Sequence, residues 1–361
     1  MSEIIFILGA GASKHCGTPL MRDFLDVARR LLKNGEVKEA ENAFNNVIDA
    51  VGKLNAVHSK ATLDTYNIES VYTAFEMGKL LGKLPGINDE ERIDSLTSAI
   101  RKVIGYTLEK TTKVPDDLRV NPFQAYWEFT NILGSLIKAS KSFSVITFNY
   151  DLGLDYSFYR NTYNVLNASL IPDYCLGDIE PKENSVTYLK LHGSLNFGKC
   201  SNLSCGKVIP YRQFQYTETK AGMEYGTIPV MSVLRKQRCS TCGEPLEDDP
   251  LIIPPTWNKT AYHGQIEQVW RRAAREMRDA EKIFVLGYSL PDTDWFFNYL
   301  YGLGVEMETP LEGFYVSNPD QAVKTRFERL LGPHVIQGQR FHFYKESFED
   351  AHLRMRLILG I

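Results

Sequence analysis

No apolar run in this sequence approaches the ~20 residues that a membrane-spanning helix requires, so no such helix is expected. Charge of one sign is also lacking. Lys and Arg number 41 and Asp and Glu 44, for a net charge of −3, and the pI is near 6.2. There is therefore no global electrostatic case for direct nucleic-acid contact. Cysteine is scarce: six in 361 residues are too few for a disulfide scaffold. Internal repeats and low-complexity tracts are missing. What is present is ordinary globular composition, 43% hydrophobic, 24% charged and 12% aromatic, which excludes a disordered or collagen-like chain. A chain of this length buries a sizeable core without staples, and at ~150 residues per domain it suggests two domains or one large domain with insertions.

The N-terminal MSEIIFILGAGAS resembles a short signal peptide only superficially. Glu3 is the sole charge before the apolar run, a basic n-region is missing, and Ile4–Leu8 is too short for an h-region. Cys16 follows Ser-Lys-His, which is no lipid-attachment site. The expected location is cytoplasmic, and the Asn-x-Ser/Thr triplets at Asn167, Asn202 and Asn258 then carry no meaning. Four cysteines fall into two close pairs, Cys200-x4-Cys205 and Cys239-x2-Cys242, each followed by glycine. That is the pattern of a zinc-ribbon knuckle, in which a tight turn aims backbone amides at thiolate. In a reducing compartment close pairs favour metal, with free or redox thiols as the alternative. A closed four-thiolate site has no open position, so such a zinc stabilises and does not catalyse. Cys16 and Cys175 have no sequence partner, and Cys175 reads as a small buried hydrophobe.

Ile4-Ile-Phe-Ile-Leu8 reads as a buried parallel strand ending in Gly9. Gly9-Ala-Gly-Ala-Ser13 and a loop through Thr18-Pro19 follow. From 20 to 139 the period becomes helical. Leu20, Phe24, Val27, Ala28, Leu31 and Leu32 share one face; Ile68, Val71, Tyr72 and Phe75 a second; Ile93, Leu96, Ile100, Val103 and Ile104 a third; Phe123, Trp127, Ile132, Leu133, Leu136 and Ile137 a fourth. The block has no convincing strand and is too long for a βαβ crossover, so it reads as an inserted layer or subdomain. Strand character returns at Ser144–Phe148, Thr187–Leu191, Lys282–Gly287, Gly313–Ser317 and Phe341–Tyr344. Before the third of these lies an amphipathic helix with Ile266, Val269, Trp270, Ala273, Ala274 and Met277 on one face and Arg271, Arg272 and Arg275 opposite. Strands separated by helices predict a parallel sheet with right-handed crossovers, in an α/β fold.

The candidate chemistry lies at strand ends. Gly-x-Gly after the first strand lets backbone approach a phosphate, or else marks a turn that packs tightly. Phe284-Val-Leu-Gly-Tyr-Ser-Leu-Pro-Asp292 and Tyr315-Val-Ser-Asn318 are two further strand-to-polar-turn junctions. Ligands of open α/β sheets sit outside such carboxyl ends. Thr147-Phe-Asn-Tyr-Asp151 and Lys190-Leu-His-Gly-Ser194 project into the same crevice. His192 is the only one of seven histidines directly after a predicted core strand and before glycine. A hydrogen-bonded structural role remains open for it, as does turn capping for Asn149 and Asp151.

Together these motifs resemble the sirtuin-like family. The matching residues are Gly9-Ala-Gly-Ala-Ser13, Thr147-Phe-Asn-Tyr-Asp151, Lys190-Leu-His-Gly-Ser194, the two cysteine pairs, Gly287-Tyr-Ser-Leu290 and Ser317-Asn318, in the order of that family and spanning 4–318. The match leaves out the helical block and the C-terminal end. Protein-deacylating sirtuins carry Gly-Ile-Pro-Asp-Phe-Arg after the first glycine turn, where this chain has only a Gly-x-Pro echo in Cys16-Gly-Thr-Pro-Leu-Met-Arg22. Thr-Gln-Asn-x-Asp becomes Thr-Phe-Asn-Tyr-Asp, and the distance from Gly11 to Asn149 is much longer. The whole, with Ile253-Pro-Pro-Thr-Trp257, looks closer to the bacterial sirtuin-like NAD hydrolases of antiphage defence.

The resemblance implies a sirtuin-type Rossmann-like parallel sheet with a helical insertion and a small zinc-ribbon module. The core would be 1–19, 140–198 and 251–345, the insertion 20–139, the zinc module 199–250 and a C-terminal helix 346–361. It implies cleavage of the nicotinamide–ribose bond of NAD, with Asn149 and His192 catalytic. Gly9, Ala10, Gly11, Ala12, Ser13, Thr18, Pro19, Asn149, Asp151, Gly287, Tyr288, Ser289 and Asn318 would bind the nucleotide. Within that set Ala10, Ser13, Gly287 and Ser289 cradle the diphosphate and Asn318 takes the adenosine ribose. Cys200, Cys205, Cys239 and Cys242 would hold structural zinc. It further implies an effector that depletes NAD on activation, a homo-oligomer assembled through the helical block (or a lid formed by it), and, as partner, a separate DNA-translocating ATPase or another defence-system protein. A protein deacylase and a non-enzymatic NAD or ADP-ribose sensor are the competing expectations.

Overall fold

The computed structural model describes residues 2–55, 63–115, 124–164, 170–177, 185–211, 217–218, 225–254, 263–291, 294–304 and 311–361. Phe123, Asn167, Asn258, Asp292 and the 255–257 part of the Ile253–Trp257 segment lie outside the described residues.

Seven strands form the central sheet: β1 (Ile4–Leu8), β2 (Phe143–Thr147), β3 (Pro172–Asp173), β4 (Val186–Lys190), β5 (Lys282–Leu286), β6 (Gly313–Ser317) and β7 (Phe341–Tyr344). Their spatial order is β7-β6-β5-β1-β2-β4-β3, and every pairing is parallel. β1 and β4 are buried along their whole length; the run of β1 is apolar throughout, as a strand covered on both faces requires, whereas β4 ends in the buried Lys190. The chain winds outward from one edge of β1 through β2 to β4, then returns to the other edge for β5 to β7. The reversal of direction lies at the β1–β5 boundary, where crossover loops part and leave a crevice at the carboxyl ends. Phe6, Phe284, Tyr315 and His342 occupy matched register positions on β1, β5, β6 and β7. Their rings stack in sequence at 5.4, 4.8 and 5.1 Å, a cross-strand ladder that fixes register on one face.

The helical block forms as its periodicity predicts. Helices cover Phe24–Lys33, Ile68–Leu81, Glu90–Thr111 and Gln124–Lys138. Asn67 and Asp89 cap the second and third by accepting from the backbone N–H of Glu69 and Glu91 at 2.9 and 3.1 Å. Leu20 falls in the loop before the first helix and not on its face. The sequence reading passes over a further helix, Glu41–Asn55, whose Phe44, Val47, Ala50, Val51 and Leu54 are buried. The long Glu90–Thr111 helix is the axis of the block and touches the helices at 24–33, 41–55 and 68–81. The expectation of a strand-free block needs one correction. Val114–Pro115 pairs antiparallel with Tyr225–Thr227, a short tie too brief to show as periodicity. The block shares one continuous hydrophobic cluster with the sheet.

A second, antiparallel sheet carries the cysteines and joins Gly193–Cys200, Val208–Pro210 and Leu246–Ile252. Gly193 begins it at φ +80°, where a Cβ would lie 2.0 Å from the Leu251 carbonyl oxygen, so only glycine fits directly after His192. The amphipathic helix is His263–Arg278. Arg272, expected on its outer face, is instead buried in ion-pair contact with Glu276, which also accepts from Ser144 Oγ at 2.8 Å. The reversal is physical: a neighbouring buried carboxylate and hydroxyl make burial of guanidinium tolerable, and neither is visible in helical spacing. Among the described residues no helix is long and apolar enough to cross a membrane.

Candidate functional site

Four loops meet at the carboxyl ends of β1, β2, β4 and β5, neighbours in the sheet. The β1 loop turns at once into the single helical turn Ala10–Ser13 and packs on the β5 loop. Gly11 N–H donates to the Gly287 carbonyl at 2.9 Å, and Gly9 N–H to that of Leu286 at 3.1 Å. A Cβ on Gly9 would lie 2.5 Å from Tyr288 Cα, and one on Gly11 2.7 Å from the Gly287 oxygen. Gly287 itself has φ +63°, with its Cβ position 2.3 Å from Ala12 N. The glycines at 9, 11 and 287 are required by this tight packing of turn on turn. The Ala12 amide is also occupied, donating to the Gly9 carbonyl.

Asn149 stands at the head of this junction, 9% exposed, just past β2. Its Nδ2 donates to the Gly9 carbonyl and to Ser13 Oγ, both at 2.9 Å. A carbonyl only accepts, so the nitrogen must face it. Both amide protons are thereby committed, and Oδ1 is the group Asn149 has left to offer, an acceptor. Ser13 is the hub: its hydroxyl also lies 2.6 Å from the phenol oxygen of Tyr126, a residue of the Gln124–Lys138 helix. Burial pushes the Tyr126 phenol well above the usual tyrosine range, so it stays protonated.

Asp151 is buried one turn on, and burial raises its carboxyl against the opposing pull of Lys190 and of a hydrogen bond from Gly153 N–H. Its Oδ1 accepts that bond at 2.9 Å, so the turn-capping role is present here. Behind it Lys190, fully buried, donates to the Asp151 carbonyl at 2.8 Å and pairs with Asp155 Oδ2 at 2.9 Å. Asp155 accepts as well from Tyr174 at 2.7 Å and Tyr188 at 3.2 Å. The ammonium so satisfied props the Asn149–Asp151 loop against β4. Beneath the loop, Cys16 Sγ lies 3.2 Å from His15 Nε2, and burial holds its thiol well up, in the neutral form. Cys175 is buried, as expected.

His192 follows β4 and is 1% exposed. Phe148, Tyr150 and Trp270 wall its ring at centroid distances of 5.1, 6.2 and 6.4 Å. Its Nε2 lies 3.6 Å from Asp294 Oδ1. Phe148 stacks on Tyr288 at 4.3 Å, which places the Tyr288 side chain inside this aromatic cluster. The sequence reading missed Tyr126 and Asp294. Asp294 lies two residues beyond a stretch already singled out, and an acidic residue before a helix was the available signal; for Tyr126 there was none.

The remaining nucleotide candidates divide. Thr18 and Pro19 are buried, and Thr18 Oγ1 has no hydrogen-bond partner among the described residues, which marks a polar position open to a ligand. Ser289 gives its carbonyl to Arg326 at 2.9 Å. Asn318 caps its own turn, accepting from Asp320 N–H at 2.9 Å and donating to the Tyr288 carbonyl at 3.4 Å.

The sulfurs of Cys200, Cys205, Cys239 and Cys242 all lie within 4.8 Å of one another. The Cys200–Cys242 and Cys205–Cys239 separations are 3.4 and 3.8 Å. A tetrahedral zinc with bonds of about 2.3 Å requires edges of about 3.8 Å. Gly206 and Gly243 follow the knuckles at φ +53° and +77°, the left-handed turn the pairs predict. Backbone N–H groups of Cys242 and Thr241 bring the Cys239 thiol down to about 6, preparing it as thiolate. The donor set fits a structural zinc, with all four positions taken by protein.

No protein-family model matches this sequence, and no curated protein does. Among the solved structures to which the chain is similar are the following two. One is a histidine-to-asparagine mutant of a Sir2 homologue in complex with ADP-ribose, at 14% identity and a TM-score of 0.41, covering 99% of this chain and 93% of that one. The other is described as the structural basis of sirtuin substrate affinity, at 12% identity and a TM-score of 0.42, covering 97% of this chain and 91% of that one.

Proposed function

We propose that this protein is an NAD glycohydrolase: water replaces nicotinamide at the ribose, releasing nicotinamide, ADP-ribose and a proton. The observation that carries the reading is the fixed amide of Asn149 at the β1–β5 crevice, with only its oxygen left to offer. An acceptor there suits a ribose hydroxyl or the attacking water. The bound nicotinamide ring is already cationic and departs neutral, so no general acid is needed, unlike ordinary glycosidases. What the site must supply is placement of water and stabilisation of an oxocarbenium-like transition state. His192 takes the proton of that water. Asp151 orients the nicotinamide ribose or carboxamide. Thr18 supplies its unpartnered hydroxyl to the nucleotide, and the loops at Ala10, Ser13, Gly287 and Ser289 line the diphosphate. The motif order that resembles sirtuin-like proteins supports the same assignment.

The deep burial of Asn149 and His192 favours an enzyme silent until a signal opens the crevice. We take its role as a defence effector that depletes NAD, assembled as a homo-oligomer through the 20–139 block. Purified protein given NAD alone should release nicotinamide once active, and Asn149→Ala or His192→Ala should abolish release with the fold intact. A deacylase would turn over efficiently only with an acyl-lysine peptide. A sensor would bind NAD without turnover in every assembly state.

A further inference from the structure

We propose that Asp294, steered by Tyr288, is the positioning residue of His192. The proposal rests on the reading of His192 as general base. Asp294 directly precedes the Trp295–Gly304 helix, where an aspartate is normally a cap. Its two carboxylate oxygens reach His192 and Tyr288. Oδ1 lies 3.6 Å from His192 Nε2, and Oδ2 accepts from the Tyr288 hydroxyl at 2.6 Å. Burial and the adjacent carboxylate hold the Tyr288 phenol protonated, so it can only donate to Asp294. Phe148 stacks flat on Tyr288, with 11° between the rings, and turns its edge to His192. The imidazole is thus bounded by Asp294 on one side and by Phe148, Tyr150 and Trp270 around its faces and edge.

At 3.6 Å the carboxylate is a charge contact, not a hydrogen bond, and its field favours the tautomer that carries the proton on Nε2 and leaves the lone pair on Nδ1. It also stabilises the imidazolium that forms when Nδ1 takes the proton of water. Tyr288 keeps the carboxylate from turning toward the helix. The residue touches no reacting atom in this scheme and acts only through His192.

Asp294→Asn tests it in the full-length protein. The amide keeps the shape but can donate to Nε2, which favours the opposite tautomer. A positioned general base contributes about 10²–10⁴, and loss of its orienting carboxylate can cost about 10⁴ in kcat. The expected result is a fall of at least about 100-fold in kcat with KM within about threefold, because binding contacts are untouched. Tyr288→Phe, which removes one hydroxyl from a buried position, should lower kcat about tenfold. The tautomer is read directly by nitrogen-15 NMR of histidine-labelled protein, with His192 assigned by its absence in His192→Gln. An inverted Nδ1/Nε2 pattern in Asp294→Asn supports the proposal, and an unchanged pattern overturns it. If Asp294→Asn unfolds, Tyr288→Phe decides: the tenfold fall in kcat supports the proposal, and an unchanged kcat overturns it. Should the wild-type protein show no NAD hydrolysis in any assembly state while the nitrogen pattern inverts, the positioning role stands and the hydrolase reading falls. Retained kcat in both variants of an active enzyme overturns the positioning role alone.

Discussion

Replacing Ser13 by alanine removes the hub on which Asn149 rests. Its hydroxyl lies 2.9 Å from Asn149 Nδ2 and 2.6 Å from the Tyr126 oxygen, all three residues being buried. Each such bond contributes about 1 kcal/mol net, and a buried hydroxyl left without a partner costs about 1–3 kcal/mol. Ser13→Ala should therefore destabilise by about 2–4 kcal/mol. Tyr126→Phe removes the phenol but leaves Ser13 bound to Asn149, for about 1 kcal/mol. In the double variant no orphaned phenol remains, so its loss should fall short of the sum of the singles by about 1–2 kcal/mol. Urea unfolding followed by tryptophan fluorescence measures all four corners of the cycle. Nicotinamide release by Ser13→Ala should fall about tenfold, since the Asn149 amide keeps one anchor, the Gly9 carbonyl, and loses the other. Additivity of the two substitutions within about 0.3 kcal/mol would refute the shared network.

Three other outcomes are expected. Elemental analysis should find one zinc per chain, and its removal by chelator or by Cys239→Ser should lower Tm by several degrees; unchanged melting in metal-free protein would contradict a structural site. Lys190→Met strands the buried Asp155 carboxylate and should cost about 3–5 kcal/mol, whereas Lys190→Met with Asp155→Leu should recover much of it; equal losses in both would count against a buried pair. Burial brings His15 and His352 down to about 4 from an ordinary 6.5, with the charge of His15 adding to the effect at His352. The unfolded chain then binds more protons than the fold between those values, so the stability they contribute is complete above pH 6.5 and lost as pH falls through about 4. The urea midpoint should drop across that window, and a His15→Phe, His352→Phe variant should flatten the drop.

The parts of this fold that sequence reveals are those in which one residue type serves one local need. Ile4–Leu8 is apolar at every position because β1 is covered on both faces, so its run and its place in the sheet interior read together. The cysteine pairs were legible because a knuckle is local and its glycine follows within a residue. The Glu41–Asn55 helix escaped because Asn and Ala dilute its stripe, although Phe44, Val47, Val51 and Leu54 keep helical spacing. Arg272 was misplaced because helical periodicity sorts residues by polarity, and the carboxylate that justifies its burial belongs to tertiary context. The glycines at 9 and 11 were ambiguous because their reason lies at Gly287 and Tyr288, far along the chain. The same distance hid Tyr126, which arrives at Ser13 from the helical block.

The place of β1 bears on how the molecule comes into being. Ile4 pairs with Phe143 on one edge and with Lys282 on the other. The most central strand is thus made long before either neighbour, and loop-closure entropy must be met on both sides before any of its hydrogen bonds is gained. Folding dominated by such distant pairings is slow and keeps a sticky apolar segment waiting. The Asn149 anchor on Gly9 waits for β2, and the closure of Gly287 over Gly11 waits for β5. Partial chains should therefore lack the crevice entirely, and refolding rates should respond to substitutions in β5 more than to those in the helical block.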